Sequence, residues 1–195
     1  MLLFKSVFKL LVRLTRYYNM RYKREILATT AVISIAGVAA LVLRNNDDPL
    51  QTVQYVELEK YLGKWYEIAA FPQRFQNGCS NTSAEYSLNP DGTIAVKNSC
   101  IKDGKWSVAD GEARVVDKKT NAKLTIQFQW PFKGKYWIIG LAHDYSYAVV
   151  GHPNREYLWI LGRKTQMDSQ TYNHLIVMAA NKGFDVRKLV KTKQV

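Results

Sequence analysis

The sequence predicts an all-β fold: an eight-stranded antiparallel up-and-down barrel, with a C-terminal α-helix packed outside it and an N-terminal hydrophobic helix before it. Residues 61–163 contain short apolar-alternating runs separated by turn residues, at the regular spacing of an antiparallel barrel. Trp65 follows Gly63 at the start of the first run, where an indole can plug one end of a barrel. A single helical pattern follows the last run.

Eight runs are predicted as strands, and turn signals bound them. The strongest turn is Asn-Pro-Asp-Gly at residues 89–92, because proline presets its second position and glycine tolerates positive φ. A second turn lies at Asp103-Gly104-Lys105. The predicted strands are residues 64–72, 81–88, 93–101, 106–116, 123–129, 135–142, 148–151 and 157–163.

One amphipathic helix is predicted after the last strand. Asp168 or Ser169 caps its start, and Gly183 ends it. Its apolar positions recur at helical spacing, so one face should pack against the outside of the barrel. These positions are Tyr172, Leu175, Ile176 and Ala179. Residues 56–60 predict a short helical turn that caps the barrel, and residues 184–190 a terminal strand or extended tail.

Most of the positive charge lies ahead of the barrel. The 195 residues, 47% of them hydrophobic, suffice for one domain with a sizeable core and an appendage. Of the net charge of +12, residues 1–44 contribute +7 through eight basic and one acidic side chain. Because the domain itself carries little excess charge, the composition disfavours nucleic acid as a partner.

The hydrophobic stretch after this basic start predicts export. Its eighteen uncharged residues are just enough for a membrane-spanning helix. Basic residues precede it and Asp47 and Asp48 follow it, so the barrel should lie outside the cytoplasm. Cleavage near residues 38–40, a true start at Met20 and, as a minor alternative, a mitochondrial presequence all stay open. The predicted organisation is a basic segment (1–25), a membrane anchor or signal-peptide core (26–43), a linker (44–55) and the barrel domain (56–195).

Hairpin geometry predicts a disulfide bond. Cys79 and Cys100 lie nearly opposite one another across the turn at residues 89–92, within the uncertainty of one bulge. Closing this loop would stabilise the fold by about 3 kcal/mol. Free thiols are the alternative, and a reducing compartment would favour them.

The sequence contains no pattern that predicts a catalytic, metal or cofactor site. It has no Gly-x-Ser-x-Gly and no glycine-rich phosphate loop. Its three histidines, His143, His152 and His174, lie far apart without the spacing of metal ligands. We therefore expect no cofactor and no metal.

Three motifs, in the same order along the chain, resemble the signatures of the lipocalin family. The sequences that flank them are most similar to the bacterial outer-membrane branch of that family. The motifs are Gly63 and Trp65 at the start of the first strand, His143-Asp144-Tyr145 where the family usually has Thr-Asp-Tyr, and Arg163 at the end of the last strand. The resemblance implies that the arginine lies across the tryptophan and closes the barrel floor, as a cation–π contact.

The resemblance also implies a function: binding, storage or transport of a lipophilic ligand, such as a fatty acid or a lysophospholipid, for maintenance of the cell envelope. Alternation with Trp65 predicts that Glu67, Ala69 and Phe71 face the lumen. The loop between the fifth and sixth strands should lie at the open end. Trp130, Phe132 and Lys133 in that loop would suit the mouth of a pocket for an amphiphile with an anionic head.

The expected partners are a lipid ligand and a membrane reached through the N-terminal segment, and a homodimer stays open. The family branch implies the bacterial envelope, facing the periplasm at the outer membrane, although its usual lipid-bearing cysteine is missing because the first cysteine is Cys79. Two other functions compete. A lipocalin-fold enzyme acting on a lipid or isoprenoid would need a reduced cysteine in its cavity, and a protein-interaction module would have a barrel filled with side chains.

Overall fold

The computed structural model describes residues 48–129 and 131–194. The predicted N-terminal segments at residues 1–43, the first linker residues 44–47 and Trp130 lie outside this range. Within the described range, no helix is both long enough and apolar enough to cross a membrane.

The described residues form a closed barrel with a C-terminal helix outside it, which confirms these two parts of the predicted fold. Its α-helices are α1 (Leu58–Tyr61) and α2 (Ser169–Asn181), and two single-turn 3₁₀ helices span Arg74–Gln76 and Val186–Lys188. Its strands are β1 (Gly63–Ala70), β2 (Cys79–Leu88), β3 (Ile94–Lys102), β4 (Lys105–Val115), β5 (Lys123–Gln129), β6 (Phe132–Leu141), β7 (Tyr147–Gly151), β8 (Leu158–Gly162) and β9 (Val190–Lys191). The first eight pair antiparallel in chain order, and β8 pairs back to β1.

The up-and-down order gives the barrel two distinct ends. We call the end that contains Trp65 the closed end, where the β2–β3, β4–β5 and β6–β7 connections also lie. The opposite, open end carries the β1–β2, β3–β4, β5–β6 and β7–β8 connections. The mouth predicted in the β5–β6 loop is therefore at the open end.

Two hydrophobic clusters lie on the two faces of the barrel wall. The inner core fills the barrel and includes Trp65, Tyr86, Ile138 and Leu161. The outer core lies between the barrel and α2. It includes Val149, Ile160, Leu175 and Phe184. Alternation along each strand sends one set of side chains to each core.

Helix α2 packs on the outer face as predicted. The Asp168 carboxylate accepts a 2.8 Å hydrogen bond from the Thr171 amide, which caps the helix start. Tyr172, Leu175 and Ala179 are buried against the barrel. A Cβ atom on Gly140 of β6 would lie 2.5 Å from the Met178 Cε atom, so the missing side chain lets the helix approach the sheet.

The C-terminal residues close a gap in the barrel wall. β1 pairs with β2 from Gly63 to Tyr66, and nearer the open end the two strands separate. Residues 190–194, which we call the C-terminal strap, lie between them. The Thr192 amide donates to the Ile68 carbonyl at 3.0 Å, and the Asn81 amide donates to the Lys193 carbonyl at 2.8 Å. The strap thus links β1 to β2 where direct pairing is lost.

Candidate functional site

Arg163 and Trp65 close the floor of the barrel. The guanidinium carbon lies 3.8 Å from the centroid of the indole, a cation–π contact worth about 0.5 to 2 kcal/mol. The same guanidinium donates hydrogen bonds of 2.7 to 3.4 Å to five backbone carbonyls. These belong to Lys60, Tyr61, Leu62, Lys64 and Tyr145. One side chain therefore ties α1, β1 and the β6–β7 turn together.

Local backbone geometry places the indole inside. Gly63 has a φ of +86°, a conformation that side chains other than glycine rarely adopt. This turn leads from α1 into β1 and directs Trp65 toward the inner core. The indole Nε1 then donates a 2.8 Å hydrogen bond to the Tyr61 carbonyl, so the buried ring has no unpaired donor.

The His143-Asp144-Tyr145 turn supports the same floor. The Tyr145 hydroxyl accepts a 2.9 Å hydrogen bond from the Glu57 amide, just before α1. The Asp144 carboxylate accepts one from the Ser146 amide at 3.0 Å, and hydrogen bonds from Ser146 lower the pKa of Asp144. His143 lies in the same turn. The motif is therefore structural in this protein.

Above the floor, three buried tyrosines form a second layer. The Tyr61 and Tyr136 hydroxyls lie 2.7 Å apart, and the Tyr86 hydroxyl donates to that of Tyr136 at 3.0 Å. Burial raises the pKa of Tyr86 to about 12, so its phenol stays neutral. The apolar cavity beside these rings measures about 10 Å³, about enough for one water molecule. The closed half of the barrel is thus filled with side chains.

We call the open half of the barrel the cup, and the inner face of β4 becomes exposed to solvent there. On β4, Ser107 and Ala109 share the inner face with buried Ala113, yet both are exposed to solvent. Phe128 lies over Gly111, where an added Cβ would approach its ring to 2.7 Å, and Phe128 is 40% exposed. On β4, inward-facing residues are therefore buried near the tyrosines and exposed nearer the rim, whereas inward-facing Cys100 on β3 stays buried.

The mouth residues named from the sequence take different positions. Phe132 begins β6 on the same face as Tyr136 and is 73% exposed, so it stands at the rim of the cup. Lys133 is also exposed, and alternation puts it on the outer face. Trp130 lies outside the described residues.

The lumen positions predicted on β1 are wrong for Ala69 and Phe71. Glu67 stands opposite Leu161 of the inner core, but Ala69 stands opposite Ile160 of the outer core. A bulge between Glu67 and Ala69 adds one residue, and one residue is enough to reverse the alternation. Ala69 and Phe71 consequently belong to the outer core.

Glu67 is a buried carboxyl at the seam between β1 and β2. It is 7% exposed and accepts hydrogen bonds from the Thr192 hydroxyl at 2.6 Å and from the Gln76 amide at 3.1 Å. Burial raises the pKa of Glu67, and the two hydrogen bonds offset part of that effect. Gln194 also bridges the seam, because its side-chain amide donates to the carbonyls of Glu67 and Thr82.

Cys79 and Cys100 form the predicted disulfide bond. It joins β2 to β3 near the open end, and β2 pairs with β3 in the register of a hairpin with one irregularity. Both cysteines of the chain are used. The reduced thiol that the enzymatic alternative requires is therefore missing.

Several residues of the site escaped the sequence analysis. Tyr86 and Tyr136 alternate with other inward-facing apolar residues, so their inward direction was within reach of pattern reasoning, but their mutual contact was not. Thr192 and Gln194 come from the strap, and no local signal places them beside Glu67. In the parts of the chain that the structure describes, no three His, Cys, Asp or Glu side chains come together as a metal-binding group.

Comparisons with known proteins agree with this architecture. Residues 56–194 match the sequence profile described as a Lipocalin-like domain. Temperature-induced lipocalin-1 of Arabidopsis thaliana is 43% identical over 155 residues, which span 74% of this chain and 83% of that protein. The outer membrane lipoprotein Blc of Vibrio cholerae is 37% identical over 150 residues, or 75% of this chain and 88% of that protein.

A solved structure shares the fold. Insecticyanin from the tobacco hornworm Manduca sexta superposes with a TM-score of 0.61 at 21% identity, over 75% of this chain and 85% of that one. The sequence profile covers most of the chain, including both residues of the Trp65–Arg163 floor. The chain therefore belongs to the lipocalin family, whose members bind small hydrophobic ligands.

Proposed function

We propose that the protein binds and carries a lipophilic ligand, a fatty acid or a lysophospholipid, in the cup at the open end of its barrel. The observation that supports this most directly is the contrast along the inner face of β4, where Ala113 is fully buried and Ala109 is exposed. Apolar burial in the cup would supply affinity at roughly 25 cal/mol per Å². Phe128 and Phe132, two aromatic residues near the rim, would pack against the acyl chain of the ligand.

The proposed orientation places the head group of the ligand at the mouth. Lys133 is exposed beside Phe132 on the outer face of β6, so its ammonium group would meet an anionic head group that projects past the rim. The tyrosine layer below has almost no free space, so the ligand would stop above it. Lys133 stays a proposed mouth residue on this basis, and Trp130 stays one only through its place in the same loop of the sequence.

Export and membrane attachment form the second part of the proposal. Residues 26–43 would act as a membrane anchor or signal, and the barrel would serve in maintenance of the cell envelope. The disulfide supports an oxidising location, and the relative from Vibrio cholerae is named an outer membrane lipoprotein. Fractionation of cells expressing the full chain tests this: recovery of the barrel in the cytosol with free thiols would reject it.

Two neighbouring substitutions on β4 test the carrier function. Ala109→Trp puts an indole into the cup, whereas Val108→Trp puts one on the outer face of the same strand. We expect the wild-type protein to bind a fluorescent fatty acid, cis-parinaric acid, saturably at one site. Ala109→Trp should weaken this binding at least about tenfold, and Val108→Trp should leave it unchanged.

The same titration separates the carrier from a protein-interaction module. If neither cis-parinaric acid nor lysophosphatidylethanolamine binds the folded wild-type protein, the carrier function is rejected and a filled barrel is favoured. Equal weakening by the two tryptophan variants would reject the cup as the binding site.

A further inference from the structure

A second hollow, of about 280 Å³, lies outside the lumen. Its lining residues on β1, β2 and β3 alternate with Trp65, Ala84 and Val96, which belong to or pack against the inner core. The hollow is therefore on the outer face of the barrel. Its volume is just under the range of about 300 to 1,000 Å³ that small-molecule sites occupy, so it suits a small ligand.

Strand register explains why the outer face is hollow here. Ser83 of β2 stands directly opposite Ser99 of β3, so the floor consists of two short hydroxyl side chains. On one side of the floor, Glu85 stands opposite both Lys64 and Lys97. On the other side rises the indole of Trp106. Two short residues between longer ones leave a depression across the sheet.

The charged side of the hollow carries groups of both signs. Lys97 is opposite Asp110 of β4 as well, so the row across four strands alternates two cations with two anions. The ion pairs found among the described residues involve other side chains. The lining itself holds Lys64, Lys97 and Glu85, two cations and one anion, so a ligand meets both hydrogen-bond donors and acceptors there. The Lys64 ammonium also lies 5.2 Å from the centroid of the Tyr66 ring.

The opposite side of the hollow is apolar and unusually exposed. Trp106 is 65% exposed and Val108 is 50% exposed, and both border the hollow. An indole is a large flat surface that gains free energy when an apolar face covers it. The hollow thus combines a flat apolar wall, hydroxyl groups on its floor and charged groups of both signs on the facing wall.

We infer that this outer hollow binds an uncharged saccharide unit, with one face of the sugar ring on Trp106 and its hydroxyl groups on Lys64, Glu85, Lys97 and the two serines. A sugar ring has an apolar C–H face, and its hydroxyls both donate and accept hydrogen bonds, so it matches all three surfaces. A phosphate or sulfate would meet the carboxylate of Glu85 as well as the two lysines. A purely apolar ligand would cover charged groups without pairing them, which is costly.

Saturation-transfer NMR on the full-length protein tests this inference, with maltotriose and chitotriose as neutral probes. We expect at least one probe to receive saturation at its ring C–H protons. Trp106→Ala should reduce the affinity at least about tenfold, and Ser99→Tyr, which fills the floor, should do the same. Tyr55→Ala, which removes an exposed aromatic ring elsewhere, should have no effect.

Two further measurements separate this site from the lipid cup. Trp106→Ala should bind cis-parinaric acid as the wild-type protein does, because Trp106 lies outside the lumen. Absence of saturation transfer to both neutral probes would overturn the inference, and so would unchanged binding in the Trp106→Ala variant. Tighter binding of a sulfated saccharide than of the neutral probes would overturn it as well, because it would show recognition of charge.

Discussion

At the scale of single residues, Arg163 contributes more to the fold than its partial exposure indicates. Its guanidinium packs on Trp65 and donates to five carbonyls from three segments. Lysine would keep the charge, but its single ammonium group cannot reach several carbonyls in a plane while stacking on an indole. The planar shape of the guanidinium is therefore the property that matters at this position.

Arg163→Lys should consequently lower the free energy of unfolding by about 2 to 4 kcal/mol. Urea denaturation followed by tryptophan fluorescence measures the change. Arg114→Lys is the control, because Arg114 forms an exposed ion pair with Glu112 and its replacement should change stability little. Equal stability of the two variants would show that the charge alone supports the floor.

Glu67 should make stability depend on pH. Because burial raises the pKa of Glu67, the folded protein holds this proton more tightly than the unfolded chain does. Its contribution therefore favours the folded state at low pH and is lost as pH rises through the folded pKa. This direction is opposite to that of Asp144 and Asp168, whose pKa values are lowered by hydrogen bonds and whose contributions are lost as pH falls.

Glu67→Gln isolates this contribution. A glutamine can accept from Gln76 and donate to the Thr192 hydroxyl, so the hydrogen bonds can be kept. We expect the variant to be more stable than the wild-type protein at about pH 8 and this advantage to shrink toward about pH 4. Chemical denaturation across this range gives the difference. A difference that does not vary with pH would contradict the assignment of a raised pKa.

At the scale of elements, missing side chains on the barrel wall control how the C-terminal segment packs. A Cβ atom on Gly151 of β7 would lie 2.5 Å from the Cζ atom of Phe184, which makes an edge contact with Phe71. Phe184 leads into the strap, so its position affects the seam between β1 and β2. The outer core and the closure of the barrel are therefore coupled through this ring.

Gly151→Ala should displace Phe184 and destabilise the protein by about 1 to 3 kcal/mol. Gly134→Ala on β6 is the matched control, because the nearest atom to its added Cβ, the Ile126 carbonyl oxygen, is 3.9 Å away. Thermal unfolding monitored by circular dichroism compares the two. If Gly134→Ala destabilises the protein as much, the loss comes from strand propensity and not from the Phe184 contact.

At the scale of the whole molecule, the strap closes a gap between β1 and β2 that direct pairing leaves open. It satisfies the Ile68 carbonyl and the Asn81 amide and donates a hydrogen bond to Glu67. Without it, two strand edges at the open end would face solvent, a situation that favours local opening and self-association. The disulfide Cys79–Cys100 holds β2 to β3 on the other side of this gap.

Deletion of the residues from Val190 to the end of the chain should favour local opening at the open end of the barrel and leave the closed end unaffected. Backbone amides of residues 67–70 and 79–83 should exchange roughly tenfold faster by hydrogen-exchange mass spectrometry, and those of residues 63–66 should not change. A Lys191→Ala and Lys193→Ala double variant keeps the strap backbone and should exchange as the wild-type protein does. An equal increase of the amide exchange rate throughout the barrel would indicate global destabilisation instead.

The sequence by itself determined the features that depend on neighbouring strands and local motifs. Strand order follows from alternation, because strands adjacent in an up-and-down barrel are also adjacent in the chain. The apolar face of α2 follows from helical spacing, and the Cys79–Cys100 bond from the turn at residues 89–92. The contact of Trp65 with Arg163 joins the first strand of the barrel to the end of the last one, far apart in the sequence. Only the resemblance to a family motif predicted it.

Only the tertiary structure decided whether the residues after a β-bulge face the lumen or the outside of the barrel. One inserted residue in the β1–β8 pairing moved Ala69 and Phe71 from the lumen to the outer core, because alternation is counted residue by residue and every position after a bulge is reversed. The strap beside Glu67 and the outer hollow beneath Trp106 likewise depend on register between strands. Register is set by packing across the sheet, and the linear pattern does not contain it.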